Sequence, residues 1–223
     1  MFKGKWKWYM MLAVLLALIF LNRELSQSVV SEDVSENEIV IIDAGHGGKD
    51  PGKIGVNDVL EKDLNLQIAK KVKENLEKQK VTVIMTREDD TAEDGKMADM
   101  KKRVALINEE KPAIAVSIHQ NSYSQADIKG AQVFYYEHSE VGKNAALIIQ
   151  EELKQIDSEN TREAKGNDTY YLLKKTEVPT IIVECGFLSN AQEAEKLTDE
   201  TYQNELANSI CDGIIKWLKQ RRS

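Results

Sequence analysis

Three residues that could take part in catalysis each follow a short apolar run. His46 follows IVII within the segment DAGHGG, His119 follows AIAVSI, and Glu184 follows TIIV. If these runs are parallel strands, their carboxyl ends lie at one edge of a sheet, where α/β proteins bind ligands. Two imidazoles and a carboxylate are ligands that suit Zn²⁺ in a catalytic site. The pattern therefore favours a zinc centre at this edge.

Glu61 is the candidate for the remaining carboxylate ligand, because it begins the helix predicted after the His46 turn and would lie at the same edge. Other interpretations stay open from the residues alone. Asp58 and Glu61 also fit a capping box. A histidine at a strand end is commonly a hydrogen-bonded structural residue, and GHGG could be an anion-binding turn, although no P-loop lysine follows it. Burial of Glu184 would be costly without a cation or hydrogen-bond partner, which favours a functional role.

The elements that would position these residues alternate between strands and helices. Short apolar or β-branched runs predict strands at 39–42, 81–85, 113–118, 132–136, 170–173 and 180–183. Helical periodicity predicts helices at 60–79, 96–109, 141–156 and 201–219, the first with an apolar stripe of Leu64, Ile68, Val72 and Leu76. The alternation predicts a single α/β domain in which helices flank a mostly parallel, roughly six-stranded twisted sheet.

The N-terminal residues differ from the rest of the chain. Lys3, Lys5 and Lys7 precede the uncharged segment 8–21, which is the pattern of a signal sequence or a short membrane anchor. We expect a signal or membrane anchor over residues 1–25, a polar tether over 26–37 and a catalytic domain over 38–223. The basic flank should stay inside, which places the domain outside the cytoplasmic membrane. Whether the segment is cleaved is left open.

The formal net charge of −7 argues against nucleic acid as a partner, because phosphate contacts need clustered lysine and arginine. Cys185 and Cys211 have no framework spacing, and we expect both to be buried and unpaired. His138 lies outside any motif and is expected on the surface.

Six segments together resemble the zinc-dependent N-acetylmuramoyl-L-alanine amidases of the amidase 3 family. They occur in the order of that family within residues 39–219: IIDAGHGGKDPG, EKDLNLQIA, MTREDD, KRVALIN, SIHQNS and VECGFLSN. The resemblance implies a hydrolase that cleaves peptidoglycan at the amide between the lactyl group of N-acetylmuramic acid and L-alanine of the stem peptide. It also implies one Zn²⁺ held by His46, Glu61 and His119, with Glu184 as the catalytic glutamate.

Within the family, the short N-terminal segment and TREAK at 161–165 resemble the germination-specific amidases of spore formers. Those enzymes act on spore-cortex peptidoglycan before muramic-δ-lactam is formed. Only residues 122–131 separate the SIHQN motif from the next predicted strand, so no inhibitory insertion is expected there. Control would then come from timing, location or an activating envelope protein.

Several assignments have alternatives. Asp43 or Asn121 is a candidate to orient a ligating histidine, or each is a turn residue. Arg162 and Lys165 could meet peptide carboxylates, or could be solvated surface charges. The alternative functions are a non-catalytic peptidoglycan-binding module and a zinc peptidase that cuts within the stem peptide.

Overall fold

The computed structural model describes residues 38–92 and 95–222. Within these ranges the strands are β1 (Ile39–Ala44), β2 (Thr82–Met85), β3 (Ile114–Asn121), β4 (Gln132–Tyr136), β5 (Lys165–Asn167) and β6 (Thr180–Phe187). The helices are α1 (Glu61–Lys78), α2 (Lys96–Glu110), α3 (Glu140–Ile156), α4 (Tyr171–Lys175), α5 (Ala191–Lys196) and α6 (Glu200–Gln220).

All six strands form one sheet in the order β2-β1-β3-β6-β4-β5. The pairs β1–β2, β1–β3, β3–β6 and β4–β5 are parallel, and β4–β6 is antiparallel. The prediction of an α/β domain with a mostly parallel six-stranded sheet is confirmed. The four long predicted helices are also confirmed, with ends that differ by at most one residue from those expected.

The prediction of a strand over 170–173 is wrong, because this segment leads into the short helix α4. Asn167 begins the turn there, since its Oδ1 accepts hydrogen bonds from the backbone N–H groups of Thr169 and Tyr170. A four-residue apolar run does not distinguish a strand from one buried helical turn. The sixth strand is instead β5, whose sequence KGN carries no apolar signal and lies at the edge of the sheet.

The larger core lies on the face of the sheet that α1, α3 and α6 cover. Alternate strand residues point to this face, because successive side chains of a strand alternate between faces. Val40, Val116 and Val183 are fully buried there, together with the predicted stripe of α1. A Cβ on Gly213 of α6 would lie 2.6 Å from Cγ1 of Ile149 of α3, so this glycine lets the two helices approach closely.

The opposite face is covered by α2 and the single turn of α4. Two small apolar clusters lie there, Ile41, Ile107, Ala115 and Leu172 in one and Phe134, Leu173 and Ile182 in the other. Toward the carboxyl ends of β1, β3 and β6 the residues with this orientation are polar: Asp43, Ser117, His119 and Glu184. The polar side chains of the sheet therefore lie on the face that only α2 and the short helix α4 cover.

Cys185 and Cys211 are buried and unpaired, and His138 is exposed, as predicted. The predicted anchor over 1–25 and the tether over 26–37 lie outside the described residues, and both stay predictions. Across residues 38–92 and 95–222, no helix combines the length and apolar character needed to cross a membrane.

Candidate active site

The register of the central strands places the candidate residues on adjacent strands as direct neighbours. His119 of β3 pairs with Glu184 of β6, and Asp43 of β1 pairs with Ser117 of β3. The N–H of Gly45 continues this pairing by donating to the Ile118 carbonyl at 3.1 Å. Register partners on parallel strands point to the same face, so these side chains gather at the carboxyl edge of the sheet.

His46, Glu61 and His119 converge on one point. Oε1 of Glu61 lies 3.2 Å from Nε2 of His46 and 2.9 Å from Nδ1 of His119. The two imidazole rings meet edge to face, with centroids 5.0 Å apart. One donor atom from each side chain lies within 4.8 Å of the others. Three protein donors of this kind are the set that catalytic zinc sites use, so the group could hold a metal ion.

His46 is positioned by a tight turn after β1. Its φ of +63° is uncommon for a residue other than glycine. Gly47 and Asp50 exchange backbone hydrogen bonds of 3.1 and 3.0 Å, which closes the turn. Oδ2 of Asp50 lies 2.9 Å from Nδ1 of His46, so Nε2 is left to face Glu61. Sequence analysis did not identify Asp50, although the four-residue spacing in HGGKD was the available signal.

Two glycines leave room for the donor side chains. A Cβ on Gly45 would lie 2.3 Å from Cε1 of the His119 ring. A Cβ on Gly52 would lie 2.5 Å from Oε2 of Glu61, and the φ of Gly52 is +66°. Both distances are too short for a real contact, so a side chain at either position would displace a donor group.

The carboxylate of Glu61 is buried and fully engaged. Its Oε2 accepts a hydrogen bond from the Lys53 N–H at 2.7 Å, and its Oε1 accepts one from the Gln120 N–H at 3.2 Å. Burial by itself would raise the pKa of Glu61, but His119 and His46 outweigh burial and hold this pKa far below its usual range. The carboxylate is therefore ionised, as a metal ligand must be.

The capping-box interpretation of Glu61 is wrong. The N-cap of α1 is Leu60, which makes no side-chain cap, and Asp58 has a φ of +63° two residues earlier. Asp58 is therefore not at the cap position, and the Glu61 side chain is turned toward the histidines.

Asp43 lies beneath the site and contacts no imidazole within hydrogen-bond distance among the described residues. Its carboxylate accepts hydrogen bonds from the hydroxyls of Thr86, at 2.6 Å, and Ser117, and Nη1 of Arg103 lies 3.5 Å away. Burial opposes ionisation of Asp43, yet Arg103 and the two hydroxyls lower its pKa overall. Arg103 also donates to the His46 carbonyl at 2.8 Å. Asp43 thus supports the His46 turn through Arg103.

Glu184 lies in the same cleft as the three donors and is 8% exposed. The cleft measures about 310 Å³, and Tyr170, Tyr171 and Asn121 also line it. Within the described part of the chain, Oε2 of Glu184 is buried and has no hydrogen-bond partner. Burial raises the pKa of Glu184 to about 7, an effect that His119 opposes. A carboxyl with such a pKa can both accept and release a proton near neutral pH.

Arg87 of the MTREDD segment is a structural residue of the site that sequence analysis did not identify. Its guanidinium donates to the carbonyls of Ala44 at 3.0 Å, Gly45 at 3.1 Å and Lys62 at 2.8 Å. It therefore ties the end of β1 to the first turn of α1. The sequence shows an arginine after a strand, but its buried position depends on the packing of both elements.

The remaining candidates lie outside the donor group. Asn121 ends β3 and lines the cleft, and its Oδ1 accepts from the Ser122 N–H at 2.7 Å. Arg162 stacks on the Phe187 ring, with its Cζ 4.5 Å from the centroid, and does not line the cleft. Lys165 is exposed on the edge strand β5.

Comparison with known proteins agrees with this geometry. The family of N-acetylmuramoyl-L-alanine amidases known as amidase 3 matches residues 40–216. The germination-specific N-acetylmuramoyl-L-alanine amidase of Bacillus subtilis (strain 168) is 38% identical over 193 residues, which cover 82% of this chain and 81% of that protein.

Two solved structures are similar over most of the described domain. The CwlD amidase from Clostridioides difficile, solved in complex with the GerS lipoprotein, is 41% identical with a TM-score of 0.80, covering 82% of this chain and 100% of that one. The catalytic domain of the amidase CwlV from Bacillus (Paenibacillus) polymyxa var. colistinus is 33% identical with a TM-score of 0.75, covering 82% and 98%. The chain belongs to the N-acetylmuramoyl-L-alanine amidase family, which confirms the resemblance.

Proposed function

We propose that this chain hydrolyses the amide between the lactyl group of N-acetylmuramic acid and L-alanine of the stem peptide in peptidoglycan. One observation carries the proposal beyond family membership: a buried glutamate, with an oxygen that has no hydrogen-bond partner within residues 38–92 and 95–222, shares a cleft with three converging metal donors. A cleft of about 310 Å³ is large enough for the sugar–peptide junction.

We assign His46, Glu61 and His119 as the ligands of one Zn²⁺. The donor set of two imidazole nitrogens and one carboxylate oxygen fits this ion. Zinc held there would polarise the lactyl carbonyl and make the attacking water more acidic. Asp50 orients the ring of His46, and Gln120 and Lys53 hold the Glu61 carboxylate in place.

Glu184 is the general base and then the general acid of the proposed reaction. Its carboxylate accepts the proton of the attacking water and delivers that proton to the leaving nitrogen of L-alanine. Two features support this role. The pKa of Glu184 is raised by burial to about 7, and its Oε2 is not held by another group within the described residues.

The relatives support a role in the spore cortex. One is named a germination-specific amidase, and another was solved in complex with a lipoprotein. We propose cortex peptidoglycan as the substrate, removal of stem peptides before muramic-δ-lactam formation as the reaction step, and an envelope protein as an activating partner. The proposed location is outside the cytoplasmic membrane, with residues 1–25 as signal or anchor, 26–37 as tether and 38–223 as the catalytic domain.

The test is digestion of purified peptidoglycan by the full chain with added Zn²⁺, followed by mass spectrometry of the released fragments. We expect free stem peptides that begin with L-alanine, and we expect Glu184→Gln to release almost none. The variant should still bind zinc, because Glu184 is not among the three donors.

The same digest separates the alternatives. New amino termini within the stem peptide would indicate a zinc peptidase and contradict the proposal. Zinc-loaded protein that sediments with peptidoglycan but releases nothing, even with co-purifying envelope proteins added, would indicate a binding module.

A further inference from the structure

Two exposed lysines line the cleft of a chain whose net charge is −7. The two lysines, Lys53 and Lys96, differ in the contacts that their ammonium groups make. Nζ of Lys96 lies 4.0 Å from Oδ2 of Asp50, so a carboxylate already stands opposite it. Over residues 38–92 and 95–222, the ammonium of Lys53 forms no hydrogen bond or ion pair. Lys53 is therefore a cation of the cleft that is available to a ligand.

The backbone of Lys53 is fixed against the donor group. Its N–H donates to Oε2 of Glu61 at 2.7 Å, and its carbonyl accepts from the Glu61 N–H at 2.9 Å. Gly52 precedes it with a φ of +66°, which directs the chain into this pairing. The two hydrogen bonds hold Lys53 beside the proposed metal ligand. The Lys53 ammonium can therefore contact only those groups of a bound substrate that lie within the length of a lysine side chain from the bond to be cleaved.

The charges already in the cleft make a cation there useful for an acidic substrate. Glu184 lies in the cleft and would repel an approaching carboxylate when it is ionised. The charge of Glu61, in contrast, is already opposed by His46 and His119. On the proposed function, the reacting amide joins an uncharged lactyl group to L-alanine. A negative charge close to that bond must therefore come from the peptide side, from the residue that follows L-alanine.

We infer that Lys53 is a specificity-determining residue whose ammonium pairs with a carboxylate on the residue after L-alanine. The inference rests on the proposed function, because that function sets which bond lies at the donor group. Stem peptides with a free carboxylate at that residue bind better than peptides in which it is a carboxamide. The preference weakens at high salt, because the pair lies at a solvent-accessible wall.

The test measures the binding of two ligands to the zinc-loaded full chain. Each ligand is N-acetylmuramic acid joined to L-alanine and one further residue, and that further residue carries a carboxylate in one ligand and a carboxamide in the other. Glu184→Gln is present in every protein so that the ligand is not cleaved. We expect about threefold to fivefold tighter binding of the carboxylate, which is in the upper part of the range for an accessible ion pair. Lys53→Met removes this preference and Lys53→Arg keeps it.

Lys70→Met is the matched control, because Lys70 is exposed on α1 and does not line the cleft. It should leave the preference unchanged. Zinc content should be equal in all variants, since the contacts of Lys53 with Glu61 use only its backbone.

Equal binding of the two dipeptides by the Lys53 protein, or an undiminished preference in Lys53→Met, would overturn the inference. Hydrolysis is scored separately with Glu184 intact. A chain that shows the Lys53-dependent preference but cuts neither dipeptide nor peptidoglycan, even with co-purifying envelope proteins added, supports the pairing and contradicts the proposed function.

Discussion

The two faces of the sheet use the same strands for different purposes. On one face, α1, α3 and α6 bury apolar side chains such as Ile149 and Trp217, and helix packs directly on helix. On the other face, α2 and the short α4 leave a cleft, and the strand ends carry His119 and Glu184. Because strand residues alternate between faces, neighbouring residues of one strand serve either the core or the site.

The difference indicates where stability and activity are located in this domain. The face covered by α1, α3 and α6, here called the helix-covered face, stabilises the fold by removing apolar surface from water. The cleft face holds buried ionisable groups that are costly unless each is paired. Asp43 is paired with Arg103, but one oxygen of Glu184 has no hydrogen-bond partner in the part of the chain that the structure describes. Substitutions on the two faces should therefore separate activity from stability.

The largest effect is expected for Glu184→Gln on the cleft face. Loss of the proton-transfer group should lower kcat by about 10²–10⁴-fold. The free energy of unfolding should be unchanged or higher, because a neutral amide replaces a buried carboxyl. Kinetics on a soluble muramyl peptide and urea unfolding measure the two quantities. Wild-type turnover by this variant would remove Glu184 from the mechanism.

The pH dependence of stability gives a second measurement of Glu184. Burial raises the pKa of Glu184 from 4.5 to about 7, so the folded state favours the neutral carboxyl more than the unfolded chain does. This stabilisation is complete below about pH 4.5 and is lost as the pH rises through about 7. In the metal-free protein, Glu184→Gln should therefore flatten the fall in stability over that window. Identical pH profiles of unfolding in the two proteins would argue against the raised pKa.

The next largest effect is expected for Ile149→Ala on the helix-covered face. Ile149 is fully buried against Gly213, and its truncation should reduce the free energy of unfolding by about 2–5 kcal/mol. The kcat of the folded protein should change little. Leu147→Ala on the same helix is the control, because Leu147 is 43% exposed and its truncation should have a small effect. Equal destabilisation by both variants would mean that this face is not the main source of stability.

Glu193→Gln tests a buried glutamate that has a structural role. Oε1 of Glu193 accepts from the Gly130 N–H at 2.9 Å and Oε2 accepts from the Phe187 N–H at 2.8 Å. An amide can accept only one of these bonds, so we expect a loss of about 1–3 kcal/mol in unfolding free energy. Turnover of the folded protein should persist, in contrast to Glu184→Gln. The exposed Glu195→Gln serves as control, and a stability equal to wild type in Glu193→Gln would refute this role.

The last effect, on metal affinity rather than on folding or turnover, is expected for Asp50→Asn, next to the donor group. Removal of the charge that orients His46 should weaken zinc binding by about 10–100-fold, the usual consequence of losing such a partner. Competition with a chelator measures this, with Asp58→Asn as control, because within the described residues the Asp58 side chain makes no contact with the donor group, whereas Asp50 contacts His46. Unchanged zinc affinity in Asp50→Asn would show that the turn alone orients the ring.

Much of the fold followed from local patterns. The stripe from Leu64 to Leu76 predicted α1 because an amphipathic helix repeats its apolar face in sequence. The segment at 170–173 was misassigned because one apolar turn and one short strand have the same composition. The strand β5 was missed because KGN pairs only by its backbone at an edge. Short elements depend on their neighbours more than on their own residues.

The sequence by itself determined the residue types at the ends of three strands, and it determined the family through six ordered motifs. It also located His46, Glu61, His119 and Glu184 as candidates, since parallel strands place their carboxyl ends together. Tertiary structure alone decided their distances, the contact of Asp50 with His46, and the burial that raises the pKa of Glu184 to about 7. These properties depend on strand register and on the neighbours that exclude water, and both arise only when distant segments pack together.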